Sequence, residues 1–373
     1  MSVSYIPETV KIRLWGKAGG RCQYDGCNQP LWIDALTQAE FNSAYIAHII
    51  ADRPTGPRGD ATLSEQLKTD ISNLMLMCDV HHRRIDVADV DGHPVEFLRS
   101  MKERHEQRIE LVTALGPDKQ SHVVLYGANI GAHSAPLSLK NAAQAMLPER
   151  YPADSRPIAL GMVNSSLQDR DGAYWQAEAT QLRSQVSLQV KPRLAQGEVH
   201  HLSVFGLAPQ PLLMLLGHLL CDIAAAEVFQ LHREPPDWSW QADPNGFQYQ
   251  TVEPGATDGP PALVFALSAT INDERVHAVL PGANIWKMSI PAPSNDFLKS
   301  RSQARLFREK VRLLLDRIKA AHGEHATLHV FPAMPVALAV EFGRIIMPKA
   351  DLKMHIYDQN QSLGGFAHAL DLS

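Results

Sequence analysis

The opening stretch "IPETVKIRLWGKAGG" carries Val10, Leu14 and Trp15 at spacings that share one helical face. Pro7 suits the first turn of that helix, and Gly19 and Gly20 stop it. Two short extended pieces follow, "RCQYDGCNQPLWI" and "FNSAYIAHIIAD", divided by turn residues. "VEFLRSMKERHEQRIELVTAL" then predicts a longer helix, with Phe97, Met101, Ile109 and Val112 at helical spacing. These elements make one compact unit, residues 1–115. From 116 to 157 the pattern breaks into turn-rich segments with one short strand, His122 to Tyr126, and reads as a connector.

Residues 158–373 alternate strands and helices, which predicts an α/β sheet domain. "ALVFALSAT" is a β-rich run. A long helix follows later, with Ser294 as its expected cap, Phe307, Val311, Leu314 and Ile318 on one stripe, and Gly323 at its end. The most apolar run, Pro211 to Phe229, is interrupted by His218, Asp222 and Glu227, so a buried helix is expected rather than a membrane span. "HLSVFGLAPQPLLMLLGHLL" and "TLHVFPAMPVALAVEFGRII" also align without a gap. Leu202, Val204, Phe205, Pro209, Leu212 and Gly217 match Leu328, Val330, Phe331, Pro335, Leu338 and Gly343. Two pseudo-symmetric Rossmann-like halves are therefore expected, with a ligand crevice beyond the carboxyl ends of their strands.

Composition changes the picture only at a few points. A chain of 373 residues suggests two domains, and 45% hydrophobic with 20% charged residues is ordinary for a globular protein. The first 115 residues hold 13 Lys and Arg against 16 Asp and Glu, so contact with phosphates must be local, as at Arg83 and Arg84. "MSVSYIPETVKIRLW" lacks a basic start followed by an apolar run, and a cytoplasmic location is expected. Four cysteines do not make a disulfide framework in a chain this long, and metal-bound thiolates fit better.

Cys22 and Cys27 flank the turn "QYDG", and Cys78 with His81 forms a C-x-x-H pair. Together they supply the four ligands of a structural zinc, leaving Cys221 remote. The competing reading is that these are free buried cysteines, small hydrophobes in a core. If His81 closes the zinc set, His82 points elsewhere, and Asp86, four residues on, can face the same ion as His82. His48 and Asn73 lie in apolar segments, where a lone histidine is ordinarily a core residue.

The segments "GRCQYDGCNQPL", "AHIIADRPTGPRGD" and "SNLMLMCDVHHRRID" resemble the HNH endonuclease family over about Ile6 to Leu115. The resemblance implies a ββα-metal fold that holds a divalent cation, Mg²⁺ or similar, against a scissile phosphate. By it His48 is the general base, Asn73 orients the strand carrying His48, and His82 ligates the catalytic metal. Imidazole suits the base because its ordinary pKa lies near neutrality. The sequence departs from the family where His81 replaces a cysteine and where Ala47 stands in place of a ligand before the base; Asp86 is the expected substitute. Arg58 is either a phosphate contact or a solvated loop residue.

The second half lacks helix-turn-helix, zinc-finger, basic-helix and Walker signatures. "ALVFALSATI", "ANIWKMSIPAP" and "TLHVFPAMPVALAVEFGR" resemble the SAVED domain, a fusion of two CARF-like units, over about Ile158 to Ser373, and "VVLYGANIG" is like the segments preceding such domains. An HNH nuclease joined to SAVED is similar to effector nucleases of bacterial CBASS anti-phage immunity. The resemblance implies a cyclic di- or trinucleotide activator from a partner cyclase, ligand-driven assembly into a homo-oligomer (dimer or tetramer), degradation of double-stranded DNA, and no membrane partner. The expected ligand pocket comprises the loops Gly206 to Ala208 and Pro332 to Met334, with Phe331, Tyr174, Trp175, Ser268, Thr270 and Lys287. Trp175 as core and Lys287 as a surface charge are the plain alternatives. Two other functions compete: a non-catalytic zinc-scaffolded binding module, and a nuclease whose second half is a protein-interaction platform.

Overall fold

The computed structural model describes residues 5–34, 36–130, 137–162, 165, 167–221, 225–360 and 364–373. The chain divides into two compact units, Met1–Gly116 and Pro117–Ser373. Its α/β class agrees with the sequence patterning.

In the first unit, helix α1 (Glu8–Ala18) buries Leu14 and Ala18, and Gly19 ends it in the left-handed region at φ 59°. Strands β1 (Tyr45–His48) and β2 (Leu74–Met77) pair antiparallel, with His48 opposite Leu74. Between them lies α2 (Leu63–Leu67), and after them come α3 (Asp79–Arg83) and α4 (Val95–Thr113). A single wide turn, Arg84–Ala88, continues α3, its Asp89 N–H bonding the Arg84 carbonyl at 2.9 Å. The face that α4 buries is Leu98, Met101, Lys102 and His105, one residue round from the expected stripe. Phe97 is exposed, because Leu98 and Met101 reach the β2 core while Lys102 pairs with Glu106.

The second unit begins with the segment expected to be a connector. Residues 120–127 form strand β3 (Gln120–Gly127), whose inner positions Val123 to Tyr126 are buried and which pairs with three neighbours. It sits inside a sheet because that run is continuously apolar, as a parallel strand covered on both faces requires. Helix α5 (Leu139–Met146), strands β4 (Tyr151–Pro152) and β5 (Ile158–Leu160), helices α6 (Tyr174–Gln185) and α7 (Lys191–Ala195), strand β6 (Leu202–Leu207), α8 (Gln210–Leu219) and β7 (Ala226–Phe229) complete the first half. The apolar run is thus a helix followed by a strand. The second half contains β8 (Gln250–Val252), β9 (Pro261–Ala266), α9 (Asp273–His277), β10 (Asn284–Ser289), α10 (Arg301–His322), β11 (Thr327–Ala333), α11 (Val336–Ile345), β12 (Lys353–Asn360) and β13 (Gly365–Leu372). The cap of α10 is Ser300, which forms a capping box with Gln303, not Ser294. Its stripe of Phe307, Val311, Leu314 and Ile318 is buried as expected.

Both halves share one strand order. β5-β3-β6-β7 and β10-β9-β11-β12 are parallel throughout, and β8 and β13 add antiparallel edges to the second sheet only. The sequence repeat maps onto β6–α8 and β11–α11. Its matched glycines lie where these helices cross. A Cβ on Gly217 would stand 1.9 Å from the Val340 carbonyl oxygen, and one on Gly343 would stand 1.9 Å from that of Met214. Val340 and Met214 are themselves equivalent in the repeat, so the contact is a local two-fold. Gly217→Ala or Gly343→Ala is expected to cost about 3 kcal/mol or more by forcing the helices apart, read as a lower denaturation midpoint. No helix among the described residues is long and apolar enough to cross a membrane.

Candidate functional site

The loop after α1 docks on β2 through Gln23, whose N–H donates to the Leu76 carbonyl at 2.9 Å and whose Oε1 accepts from the Leu76 N–H at 2.7 Å. That places Cys22 and Cys27 beside Cys78, the residue leading into α3, and His81, one turn on. One ligand atom from each of these four lies within 4.8 Å of the others. His81 Nδ1 is 3.1 Å from Cys78 Sγ and 3.8 Å from Cys22 Sγ. Three sulfurs and an imidazole nitrogen within that reach are a donor set that would suit a structural zinc. Cys22 is fully buried, and burial pushes its thiol up to about 12, so a bound cation is what would hold it as thiolate. Behind His81, the Tyr24 ring stacks at 4.1 Å, its hydroxyl meets His93 Nε2 at 3.0 Å, and His93 Nδ1 donates to the Asp89 carbonyl at 2.6 Å. Such outer contacts fix a ligand ring's orientation.

His82 turns to the other side of α3, where it lines a cleft of about 290 Å³ with His48, Asp86, Asp52, Arg53 and Ile46. His48, at the end of β1, donates from Nε2 to the Lys68 carbonyl at 2.9 Å, which leaves Nδ1 as the ring's lone pair. Asn73 is buried and clamps the chain beyond β1 from both sides: its Nδ2 donates to the Ile50 carbonyl and its Oδ1 accepts from the Ile50 N–H, each at 2.8 Å. His82 Nε2 lies 3.4 Å from Asp86 Oδ2, and the Tyr45 ring stacks on His82 at 5.1 Å. Burial pulls the His82 pKa down, opposed by the Asp86 charge.

Arg58 is neither a solvated loop residue nor available to phosphate. Its side chain is 7% exposed, with Nε on the Ile49 carbonyl at 2.7 Å, one terminal nitrogen on the Ile85 carbonyl at 2.6 Å and the other on Asp86 Oδ1 at 2.6 Å. It holds Asp86 beside His82 and occupies one of its two oxygens. Asp86 Oδ2 and His82 Nε2 remain as a two-donor set, which suits a hard cation that keeps waters and takes further oxygens from a bound phosphate. No sequence signal marks this role: the arginine's backbone is left-handed, φ 56°, in the turn "GPRGD", and that conformation appears only in the fold.

In the second unit, a crevice of about 390 Å³ opens beyond the carboxyl ends of β6, β7, β9, β11 and β12. This is the position that strand order dictates for a ligand in doubly wound sheets. Of the expected pocket residues, Ser268 and Met334 line it, along with Leu207 and Ala208. The others lie elsewhere. Tyr174 is buried with its hydroxyl donating to the Asn129 carbonyl at 2.6 Å, and Trp175 packs on the core at 5.2 Å from Tyr174. Phe331 is buried against Tyr357 at 4.4 Å, Pro332 is buried within β11, Thr270 is exposed, and Lys287 pairs with Asp273. Sequence reasoning placed aromatics where a base would stack, but these rings satisfy the core first.

It also missed the polar groups that join the halves. Gln210 Oε1 accepts from the Met334 N–H at 3.1 Å, and Gln230 Oε1 accepts from the Ala337 N–H at 3.2 Å. Gln210 is the polar break in the repeat, where its counterpart is Val336, and that mismatch was the available signal. Asp358 also lines the crevice, and burial, then the nearby Asp169 charge, pushes its carboxyl up to about 7. A carboxyl raised in the fold holds its proton more tightly folded than unfolded. Its stabilisation is therefore present below the ordinary aspartate value of 3.8 and is lost as pH rises through about 7. Asp358→Asn is expected to be more stable than the parent by about 1–2 kcal/mol at about pH 8, with the gap closing in acid; melting curves across pH check it.

Residues 182–372 match the family model described as SMODS-associated and fused to various effectors sensor domain, SAVED. No curated protein matches the chain. Among solved structures, it is similar to the Acinetobacter baumannii Cap4 SAVED/CARF-domain containing receptor with the cyclic trinucleotide 2'3'3'-cAAA, at 11% identity and TM-score 0.45, over 74% of this chain and 60% of that one. It is also similar to the Moraxella osloensis Cap4 SAVED/CARF-domain containing receptor, at 10% identity and TM-score 0.37, over 79% and 64%. The chain thus spans about three fifths of the length of those receptors. With the family model covering more than half of its residues, the chain belongs to the SAVED family of sensor domains.

Proposed function

We propose that the protein is a metal-dependent HNH endonuclease acting on double-stranded DNA and gated by a cyclic di- or trinucleotide, an effector of CBASS-type anti-phage defence. The observation that carries this reading is the divergence of two adjacent histidines. His81 faces three cysteines, while His82 faces a cleft that also holds His48. One side of α3 is thereby a scaffold and the other is free for chemistry.

A divalent cation at His82 and Asp86 would offset the negative charge that builds on a phosphate under attack. The chain's own residues do the rest. His48, its Nε2 committed to the Lys68 carbonyl, takes a proton from water at Nδ1 as the water oxygen bonds to phosphorus and the leaving oxygen departs. Asn73 holds the chain beyond β1 and so sets the reach of His48. Arg53, exposed on the cleft wall, meets the neighbouring phosphate. With three more acidic than basic residues in the first 115, DNA binding by one copy is weak, and assembly on ligand binding supplies avidity.

The ligand occupies the crevice between the half-sheets, where family membership and strand order both support a sensor site. Thermal shift of the full chain against a panel of cyclic di- and trinucleotides tests it. One member is expected to raise Tm in a concentration-dependent way, with the shift lost in Ser268→Trp, which fills the crevice. No shift with any member would remove the sensor reading.

One observation favours a second reading, a zinc-scaffolded binding module without catalysis. Arg58 engages Asp86, and in that account the carboxylate is purely structural. Asp86→Asn would then lower Tm with no nuclease activity in the parent to lose.

A further inference from the structure

The second unit carries a cluster of titratable side chains that neither the crevice nor the family resemblance uses. His329 on β11 stands directly opposite His355 on β12, and His355 stands opposite Asp371 on β13. Residues 368 and 371, three apart on a regular strand, would point to opposite faces. Here the pairing passes from Ile356–Leu370 to Tyr357–His368, so Ala369 is an extra residue in β13. That bulge turns His368 onto the face of Asp371, and His368 Nε2 reaches Asp371 Oδ1 at 2.7 Å. His355 Nε2 approaches the same oxygen at 3.6 Å. Ligand atoms of His355, His368 and Asp371 all lie within 4.8 Å of one another.

We propose that His355, His368 and Asp371 form a second metal site, separate from the cysteine set, that binds a zinc-class divalent ion on the open face of the sheet. The donors suit it, since imidazole favours zinc, copper and nickel, and one carboxylate completes a three-point set with room for water. Two paired strands of one sheet hold them, His355 on β12 and His368 with Asp371 on β13, so little ordering is needed on binding. The ring of His329 lies 5.1 Å from that of His355, which lies 5.2 Å from that of His368. The Tyr357 hydroxyl meets His329 Nδ1 at 2.9 Å and steadies the flank without belonging to the ligand set.

The full chain, loaded with one equivalent of zinc, is titrated with further Zn²⁺ by calorimetry, and in parallel with Co²⁺ by absorption. A further equivalent is expected, with cobalt d–d bands but without added thiolate charge transfer. His368→Gln and Asp371→Asn are expected to weaken that equivalent by about 100-fold or more. Melting of these variants without added metal is expected to match the parent, which separates lost binding from lost folding. Equal uptake and affinity in the parent and in His368→Gln, or no uptake beyond the first equivalent in the parent, would overturn the site.

Discussion

His48→Ala is expected to lower ligand-activated plasmid cleavage by about 10²–10⁴-fold while the chain stays folded. The side chain donates one hydrogen bond, from Nε2 to the Lys68 carbonyl, and its loss costs about 1 kcal/mol. The effect on rate is far larger because water near neutral pH is a poor nucleophile until a base takes its proton. Asn73→Ala is the useful contrast. It strips both 2.8 Å bonds to Ile50 from a buried position and leaves their backbone partners unsatisfied, so stability and activity are expected to fall together. A His48→Ala variant that cut DNA as fast as the parent would remove the histidine from the chemistry, whatever its place in the cleft.

The largest expected effect on stability comes from metal removal at the cysteine set. Structural zinc contributes on the order of 10 kcal/mol to small domains at neutral pH, more than the whole stability of many such units. The core of the first unit gathers around that set. Cys22 and Cys78 are buried among Leu31, Leu76 and Leu98, and the loop from Cys22 to Cys27 has only short hydrogen-bonded turns of its own. A strong chelator, or Cys78→Ala, is expected to unfold this unit while leaving the second, with its separate core, folded. Calorimetry is expected to show one of two transitions lost, with release of one zinc by metal analysis. A first unit that melts unchanged after exhaustive chelation would mean that the cysteines are packing residues only.

Much of this was legible in the residues, for physical reasons that differ from place to place. The cysteine set and the opposite directions of His81 and His82 follow from spacing, since adjacent side chains on a helix cannot face one ion while residues three or four apart can. The repeat was legible because a close helix crossing admits only glycine, and that demand recurs at Gly217 and Gly343. Three other expectations failed for want of tertiary information. β3 looked like part of a connector because turn-rich segments flank a single short apolar run, and only pairing with β6 reveals a central strand. Tyr174 and Trp175 were expected to stack on a ligand, yet large rings on inward positions of strands and helices fill cores before they meet ligands. Arg58 looked solvated because a charged residue between glycines in a loop ordinarily is. Acceptors on two segments distant in sequence, Ile49 after β1 and Ile85 with Asp86 after α3, are brought together by the fold and bury it instead. The crevice was located correctly by strand order, whereas its polar lining of Gln210, Gln230 and Asp358 was not, since amides and carboxyls at strand ends are indistinguishable from surface residues until both halves are assembled.

The central claim joins a cutting cleft to a sensing crevice, and plasmid cleavage tests both at once. Supercoiled plasmid is incubated with the full chain and Mg²⁺, with and without each cyclic di- and trinucleotide, beside His48→Ala. The account predicts degradation with one ligand, none without it, and none in the variant under any condition. Cleavage that proceeds equally without ligand would contradict the gating, and no cleavage with a ligand that demonstrably binds the crevice would contradict the nuclease.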